Sequence, residues 1–235
     1  MSWQIICDFD GTITLEDVTD NVLARFADPA WEEIEAEWKA GRIGSRDCMT
    51  RQIDLIRAEP EAFHRHLDAV AIDPGFAPFA AYCHSHGVPL LVVSDGMDYA
   101  IRRILDRHGL NGLPVIANGL ERLEGERWRL SSPHASQACH GAAGTCKCQV
   151  AEQAAKPKRR RTLVIGDGAS DICLAGSADL IFAKSKLLLH CRRHGLPHLA
   201  FSTFSQATHL LSLLIGAPET FRNAPIPSLE TVFNG

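Results

Sequence analysis

Gln4-Ile5-Ile6-Cys7-Asp8-Phe9-Asp10-Gly11-Thr12-Ile13-Thr14 is the stretch on which the fold turns. A short apolar run, Ile5 to Cys7, ends at two nearby aspartates, then a glycine and two threonines. Such runs with β-branched residues suit a strand buried on both faces, as in a parallel sheet. Unpaired charge is costly to bury, so the carboxylates belong where the strand ends and the chain opens to solvent. In open α/β sheets that carboxyl edge is where ligands bind. Asp8 and Asp10, two positions apart, leave the strand on the same side. Close carboxylates repel unless a cation or a shared proton relieves them. Gly11 allows a sharp turn or a close approach to a ligand. The stretch reads as a metal-assisted site with one acid free to attack or to move protons.

Two further apolar runs end in the same way. Val88 to Val93 runs into Ser94-Asp95-Gly96, and Thr162 to Ile165 runs into Gly166-Asp167-Gly168-Ala169-Ser170-Asp171. Shorter strands are predicted at Pro114 to Ala117, Ala178 to Phe182 and Leu199 to Phe201, with a hairpin around Gly125. Helical spacing fills the gaps: Phe76, Phe79, Ala80 and Cys83; Ala100, Ile101, Ile104 and Leu105; Lys147 to Ala155; Leu187 to His194; Gln206 to Leu214. Alternating strands and helices predict a three-layer, Rossmann-like α/β core with a parallel sheet. All three polar strand ends then converge on one edge.

Residues 15–75 have another character. Asp17 or Thr19 can cap a helix carrying Val18, Val22, Leu23 and Phe26. A second helix carries Trp31, Ile34 and Trp38, a third runs from Ser45 through Met49, Ile53 and Ile56, and a fourth follows Pro60. No strand pattern appears. This predicts an all-helical cap domain over 15–75, inserted into a catalytic core formed by 1–14 and 76–235.

The chain of 235 residues is long enough for a large core, and its formal net charge of −4 gives no indication of nucleic-acid binding. No apolar run is long enough to span a bilayer, and none precedes the first strand as a signal peptide would. The eight scattered cysteines therefore read as reduced thiols of a cytoplasmic protein.

Asp8-Phe9-Asp10-Gly11-Thr12, Ser94, a lysine, and Gly166-Asp167 with Asp171 follow one another as do the motifs of the haloacid dehalogenase-like hydrolase superfamily, which the chain resembles over residues 4–183. The helical insert resembles the cap of its phosphoserine-phosphatase-like branch. A closer likeness, carried by Cys7 to Thr14, Ser94 to Asp98 and the Cys146-Lys147 junction, is to phosphatases of a methionine-salvage enol phosphate. The junction also resembles that of phosphocholine/phosphoethanolamine phosphatases. Asp95 departs from the glycine usual in these relatives, and Gly168-Ala169 departs from their serine-containing sequence.

The resemblance implies a phosphomonoesterase acting through an aspartyl-phosphate. Asp8 would be the nucleophile and Asp10 the general acid and base. Asp8, the Asp10 carbonyl and Asp167 would hold Mg²⁺. Ser94, with backbone N–H groups near Asp95 and Gly96, would bind phosphate, although Ser94 also suits a helix cap. Lys147 would supply the counter-charge; Lys156 and Lys158 are rivals in a basic run that reads more simply as a solvated turn. Asp171 would orient water or the lysine, or bind metal as well. In the cap, Asp17 and Arg51 fall where relatives read substrate, although an amphipathic helix equally allows a surface arginine there.

The loop with His134, Cys139, His140, Cys146 and Cys148 invites a zinc reading, but Cys146-x-Cys148 is short for a zinc knuckle and reduced thiols are the default. The expected partner is a small phosphomonoester, not a nucleic acid or a membrane. Phosphoserine or phosphoethanolamine hydrolysis, phosphotransfer to another alcohol, and a metabolite-sensing binding module stay open. A dehalogenase needs neither Asp10 as acid nor a cation.

Overall fold

The structure is a computed structural model that describes residues 2–156 and 160–216. The rival lysine Lys158 and the tail from 217 onward lie outside the described residues.

Seven strands form one sheet in the order β4-β3-β2-β1-β5-β6-β7. They are β1 (Trp3–Cys7), β2 (Leu90–Met97), β3 (Val115–Arg122), β4 (Trp128–Ser131), β5 (Arg161–Gly166), β6 (Leu180–Ala183) and β7 (His198–Ala200). Neighbours are parallel except β3 and β4, an antiparallel hairpin with Gly125 at positive φ in its turn. β1 sits centrally: Ile5 pairs with Leu90 on one side and with Leu163 on the other. The chain winds one way from β1 and then the other, so the carboxyl ends of β1, β2 and β5 flank the switch point where α/β proteins bind ligands.

Alternation along the strands divides the core. Ile5, Cys7, Val92, Leu163, Ile165 and Phe182 pack with α5 (Phe76–Ser85), α6 (Asp98–Arg107) and α10 (Phe204–Gly216). Ile6, Val93, Val164 and Ile181 pack on the other face with α7 (Lys147–Ala155), α8 (Ile172–Ala175) and α9 (Ser185–His194). The result is the expected three-layer α/β arrangement.

Between β1 and α5 lie α1 (Val18–Phe26), α2 (Trp31–Lys39), α3 (Ser45–Ile53) and α4 (Pro60–Asp68). The chain leaves at Thr14 and returns at Ile72, which are joined by an isolated antiparallel bridge, and Asp73 N–H donates to the Ile13 carbonyl at 2.8 Å. These helices have no separate core: Val22, Leu23, Ile53, Phe63 and Leu67 belong to the same buried cluster as Phe76 and Ile101. Phe63 reaches to 4.5 Å, between ring centroids, from Trp128 on β4. Burying one such ring contributes roughly 1.5–3 kcal/mol.

Some boundaries differ from the sequence expectation. β2 does not stop at Val93 but continues through Ser94-Asp95-Gly96 to Met97, with a register shift between Val93 and Met97. The bulge lets a polar triplet stay in the sheet because its side chains find partners at the edge. β3 runs on to Arg122 as half of the hairpin. The third helix ends at Ile53, and Ile56 is buried from a loop bridged to Ala27.

Candidate active site

After β1 the chain turns tightly, with the N–H groups of Thr12, Ile13 and Thr14 all directed at the Phe9 carbonyl. Gly11 has φ +65°, and a Cβ there would stand 3.0 Å from an Asp167 carboxylate oxygen. The turn therefore requires glycine both for its backbone and for the space beside Asp167. It also holds Phe9 in the core and exposes Asp8 and Asp10 to the sheet edge.

Lys147, the first residue of α7, extends its ammonium to Asp8 Oδ1 and to Asp171 Oδ1, each at 2.7 Å, and donates to Ser170 Oγ at 3.1 Å. It is only 4% exposed. Burial alone would lower its pKa; Asp171 and Asp8 more than offset this and raise it above the usual lysine range. The other Asp171 oxygen accepts from Gly168 N–H at 3.2 Å, so Asp171 serves as the lysine's anchor. The rival Lys156 is exposed and pairs with Glu152.

Asp10 turns away from this cluster. Its Oδ1 accepts from Val18 N–H at 3.0 Å, and its Oδ2 accepts from Ser94 Oγ at 3.2 Å. Burial, with Asp17 as a second contribution, pushes its carboxyl up to about 7. An acid near neutrality can both give and take a proton. Ser94 in turn accepts from Gly96 N–H at 2.9 Å, and a Cβ on Gly96 would press on Asp10 Oδ2.

Carboxylate oxygens of Asp8, Asp167 and Asp171 lie within 4.8 Å of one another, among the described residues the one such group of metal-ligand side chains. Burial, then Asp171, pushes the Asp8 carboxyl well above the usual carboxylate range, and burial raises Asp167. Lys147 neutralises one charge among these acids and leaves an excess that a cation would relieve. Asp167 is fixed by a 3.0 Å bond from Thr12 Oγ1, and Lys184 holds the Thr12 carbonyl at 3.1 Å. Oxygen donors of this kind fit a hard divalent cation, with Asp8 and Asp167 as the side chains to hold it.

A cavity of about 600 Å³ opens from Asp8, Asp10 and Asp167 toward the inserted helices. Leu15, Trp38, Met49 and Gln52 line it, and Asp17 also reaches it while capping α1 through Asp20 N–H at 2.9 Å. Arg51 lies elsewhere. It pairs with Glu37 at 2.7 Å and Asp47 at 3.7 Å on the outer side of α3, where two carboxylates already occupy its guanidinium. Its expected role as a substrate reader has no geometric support.

The Asp95 carboxylate accepts from Ser45 Oγ at 2.6 Å, Thr145 N–H at 2.9 Å and Asn118 Nδ2 at 3.0 Å, while the phosphate expectation concerns the backbone N–H groups beside it. The Cys-rich loop assembles no three-ligand metal group among the described residues, and all eight cysteines are free thiols.

Sequence reading assigned no role to Thr12, Ser170, Lys184, Ser45 or the cavity residues Trp38 and Gln52. Thr12 and Ser170 lie inside the motifs and were open to inference there. Lys184, Ser45, Trp38 and Gln52 carry no local signal, because their partners are remote in sequence.

The haloacid dehalogenase-like hydrolase family profile matches residues 5–176. A 2-hydroxy-3-keto-5-methylthiopentenyl-1-phosphate phosphatase of Exiguobacterium sp. (strain ATCC BAA-1283 / AT1b) is 32% identical, over 87% of this chain and 94% of the relative. One from Geobacillus kaustophilus is 33% identical, over 85% of this chain and 91% of the relative. Among solved structures, a phospho-aspartyl intermediate analogue of phosphoserine phosphatase superposes with a TM-score of 0.66 at 21% identity, over 92% of this chain and 99% of that one, a likeness of fold.

Proposed function

We propose, from the premise that this chain belongs to the haloacid dehalogenase-like hydrolase family, that it is a phosphatase that hydrolyses a small phosphomonoester through Asp8 with Mg²⁺ as cofactor. The observation that carries the reading is the buried Asp8–Lys147–Asp171 array beside an Asp10 turned to Ser94.

Asp8 is the nucleophile. Its oxygen attacks phosphorus and forms an aspartyl-phosphate. Asp10 delivers a proton to the departing alkoxide, then removes one from the water that opens the intermediate. Lys147 holds Asp8 in place and offers positive charge to the phosphate oxygens, while Asp171 and Ser170 fix the lysine. Ser94 and the backbone at Gly96 bind the phosphate. A Mg²⁺ held by Asp8, Asp167 and the Asp10 carbonyl would neutralise the incoming dianion and stabilise charge developing on phosphorus.

We take residues 15–75 as the cap that reads the rest of the substrate. Leu15 and Trp38 line the cavity yet are 60% and 37% exposed, so they offer apolar surface to a bound molecule. That suits the thioether end of the methionine-salvage enol phosphate on which the named relatives act. A second reading rests on Glu16, Asp17, Asp20 and Glu35 along the same cavity, which would suit the ammonium group of phosphoserine or phosphoethanolamine.

The chemistry is tested by release of p-nitrophenol from its phosphate with Mg²⁺, abolished by EDTA and restored by excess Mg²⁺. A folded protein that turns over no phosphoester would overturn it. Turnover of the enol phosphate, phosphoserine and phosphoethanolamine, compared side by side, decides between the substrates.

A further inference from the structure

Behind the site, α7 and α8 bring two thiols together. Cys148, next to Lys147, and Cys173, two residues after Asp171, place their sulfurs 2.8 Å apart, close enough for one S–H to be shared. Cys148 is half-buried and Cys173 is exposed. Neither lines the catalytic cavity. The remaining thiols divide into two groups. Cys7, Cys48, Cys83 and Cys191 are buried, Cys7 near Cys83, and Cys146 has the half-buried Cys139 as its neighbour, both close to the Cys148–Cys173 pair.

We propose that Cys148 and Cys173 form a redox-active dithiol that a hydroperoxide closes reversibly to a disulfide. The exposed Cys173 is the sulfur an oxidant reaches. Burial and the neighbouring Cys173 push the Cys148 thiol up to about 12, so Cys148 keeps its proton until it attacks. Cys173 sulfur attacks the peroxide, the O–O bond breaks, and the products are a Cys173 sulfenic acid and water or the corresponding alcohol. Cys148 sulfur then displaces hydroxide from Cys173, and its own proton leaves with that hydroxide as water. Two thiols lose two electrons and two protons, and the hydroperoxide is reduced. Thiol–disulfide exchange with a small dithiol reverses the reaction. The bond would tie α7 to α8 and close the intervening chain into a loop, which restricts the unfolded state more than the folded one.

The full-length protein is treated with hydrogen peroxide, blocked with an alkylating agent and mapped by mass spectrometry. The expected result is an intramolecular Cys148–Cys173 crosslink that lowers the mass by two hydrogens, raises the melting temperature and disappears with dithiothreitol. Cys148→Ser and Cys173→Ser should each abolish the crosslink, and Cys139→Ser should leave it. A crosslink mapped to Cys139–Cys146, Cys173 oxidised to sulfinic acid with no crosslink, or stoichiometric zinc in the purified protein released by thiol blocking would each overturn the proposal. Mapping the wild-type protein decides the pairing even if a variant fails to fold, and no readout depends on phosphatase activity.

Discussion

Asp95 Oδ2 lies 2.6 Å from Ser45 Oγ, so the sheet edge holds the first residue of α3 directly. The same carboxylate also binds Thr145 N–H and Asn118 Nδ2, and it stands between Ser94 and Gly96. Hydrogen bonds to a charged group contribute about 1.5–3 kcal/mol each. Asp95→Ala is expected to lower kcat/KM on the order of tenfold as the inserted helices and β2 lose their common anchor. Asp95→Asn should stay near wild type, because its oxygen can accept from Thr145 and Asn118 while its amide faces Ser45. Steady-state kinetics with p-nitrophenyl phosphate check this; equal losses in both variants would make charge, not the bonds, the controlling property.

Asp8→Asn should abolish turnover, by at least about a thousandfold, since an amide does not form the acyl phosphate. The fold should persist, because Lys147 keeps Asp171 as its partner and the like-charge contact between Asp8 and Asp171 is removed. Single-turnover phosphate release and a thermal melt separate the two effects. A residual rate near wild type would remove Asp8 from the nucleophile's role.

Lys147→Met should behave differently. It leaves Asp8 and Asp171 buried at 6% and 1% exposure with no counter-charge between them. Breaking a buried pair in this way costs about 3–5 kcal/mol. Urea denaturation should show that loss, and Lys147→Met combined with Asp171→Asn should recover part of it without recovering activity. An unchanged denaturation midpoint in the single variant would contradict the burial of the array.

Trp38→Ala should raise KM for the natural substrate by about tenfold, the scale of one lost apolar contact of ~1.4 kcal/mol, with little change in kcat. Arg51→Ala should change neither parameter, because its guanidinium is bound to Glu37 and Asp47 outside the cavity. The comparison is made with each phosphorylated metabolite in turn. A KM shift in Arg51→Ala and none in Trp38→Ala would reverse the assignment of the cap face.

The polar strand ends were legible because buried strands tolerate charge poorly, so Asp8, Asp10 and Asp167 marked them unaided. The layers followed from the alternation of strands and helices, which gives a parallel sheet covered on both faces. The role of Lys147 had no local cue and came from the motif order. Arg51 illustrates the limit within a helix: one step turns a side chain by about 100°, so Gln52 faces the cavity while Arg51 faces solvent-side carboxylates. The Asp95–Ser45 link joins residues fifty positions apart, and no periodicity encodes such a pairing. The extension of β2 was missed because its polar triplet looks like a loop until its partners are seen.

Phe63→Ala should cost about 3–5 kcal/mol in one cooperative transition, since this ring packs against Trp128 and Tyr99 as well as Phe26. Near- and far-ultraviolet circular dichroism should lose signal together on heating. A separate early transition assigned to residues 15–75 would show that the inserted helices unfold alone.

The continuous core under those helices also limits how the protein can be recombined. A segment with its own core can be exchanged between relatives by cutting at its two connections. Here the cut between Thr14 and Ile72 would pass through a shared apolar interior. A chimera with a foreign 15–75 segment would have to bring along the residues that face it, Tyr99 and Trp128 among them. New specificity should therefore arise more readily by single changes at the cavity wall than by transplanting the helices as a block.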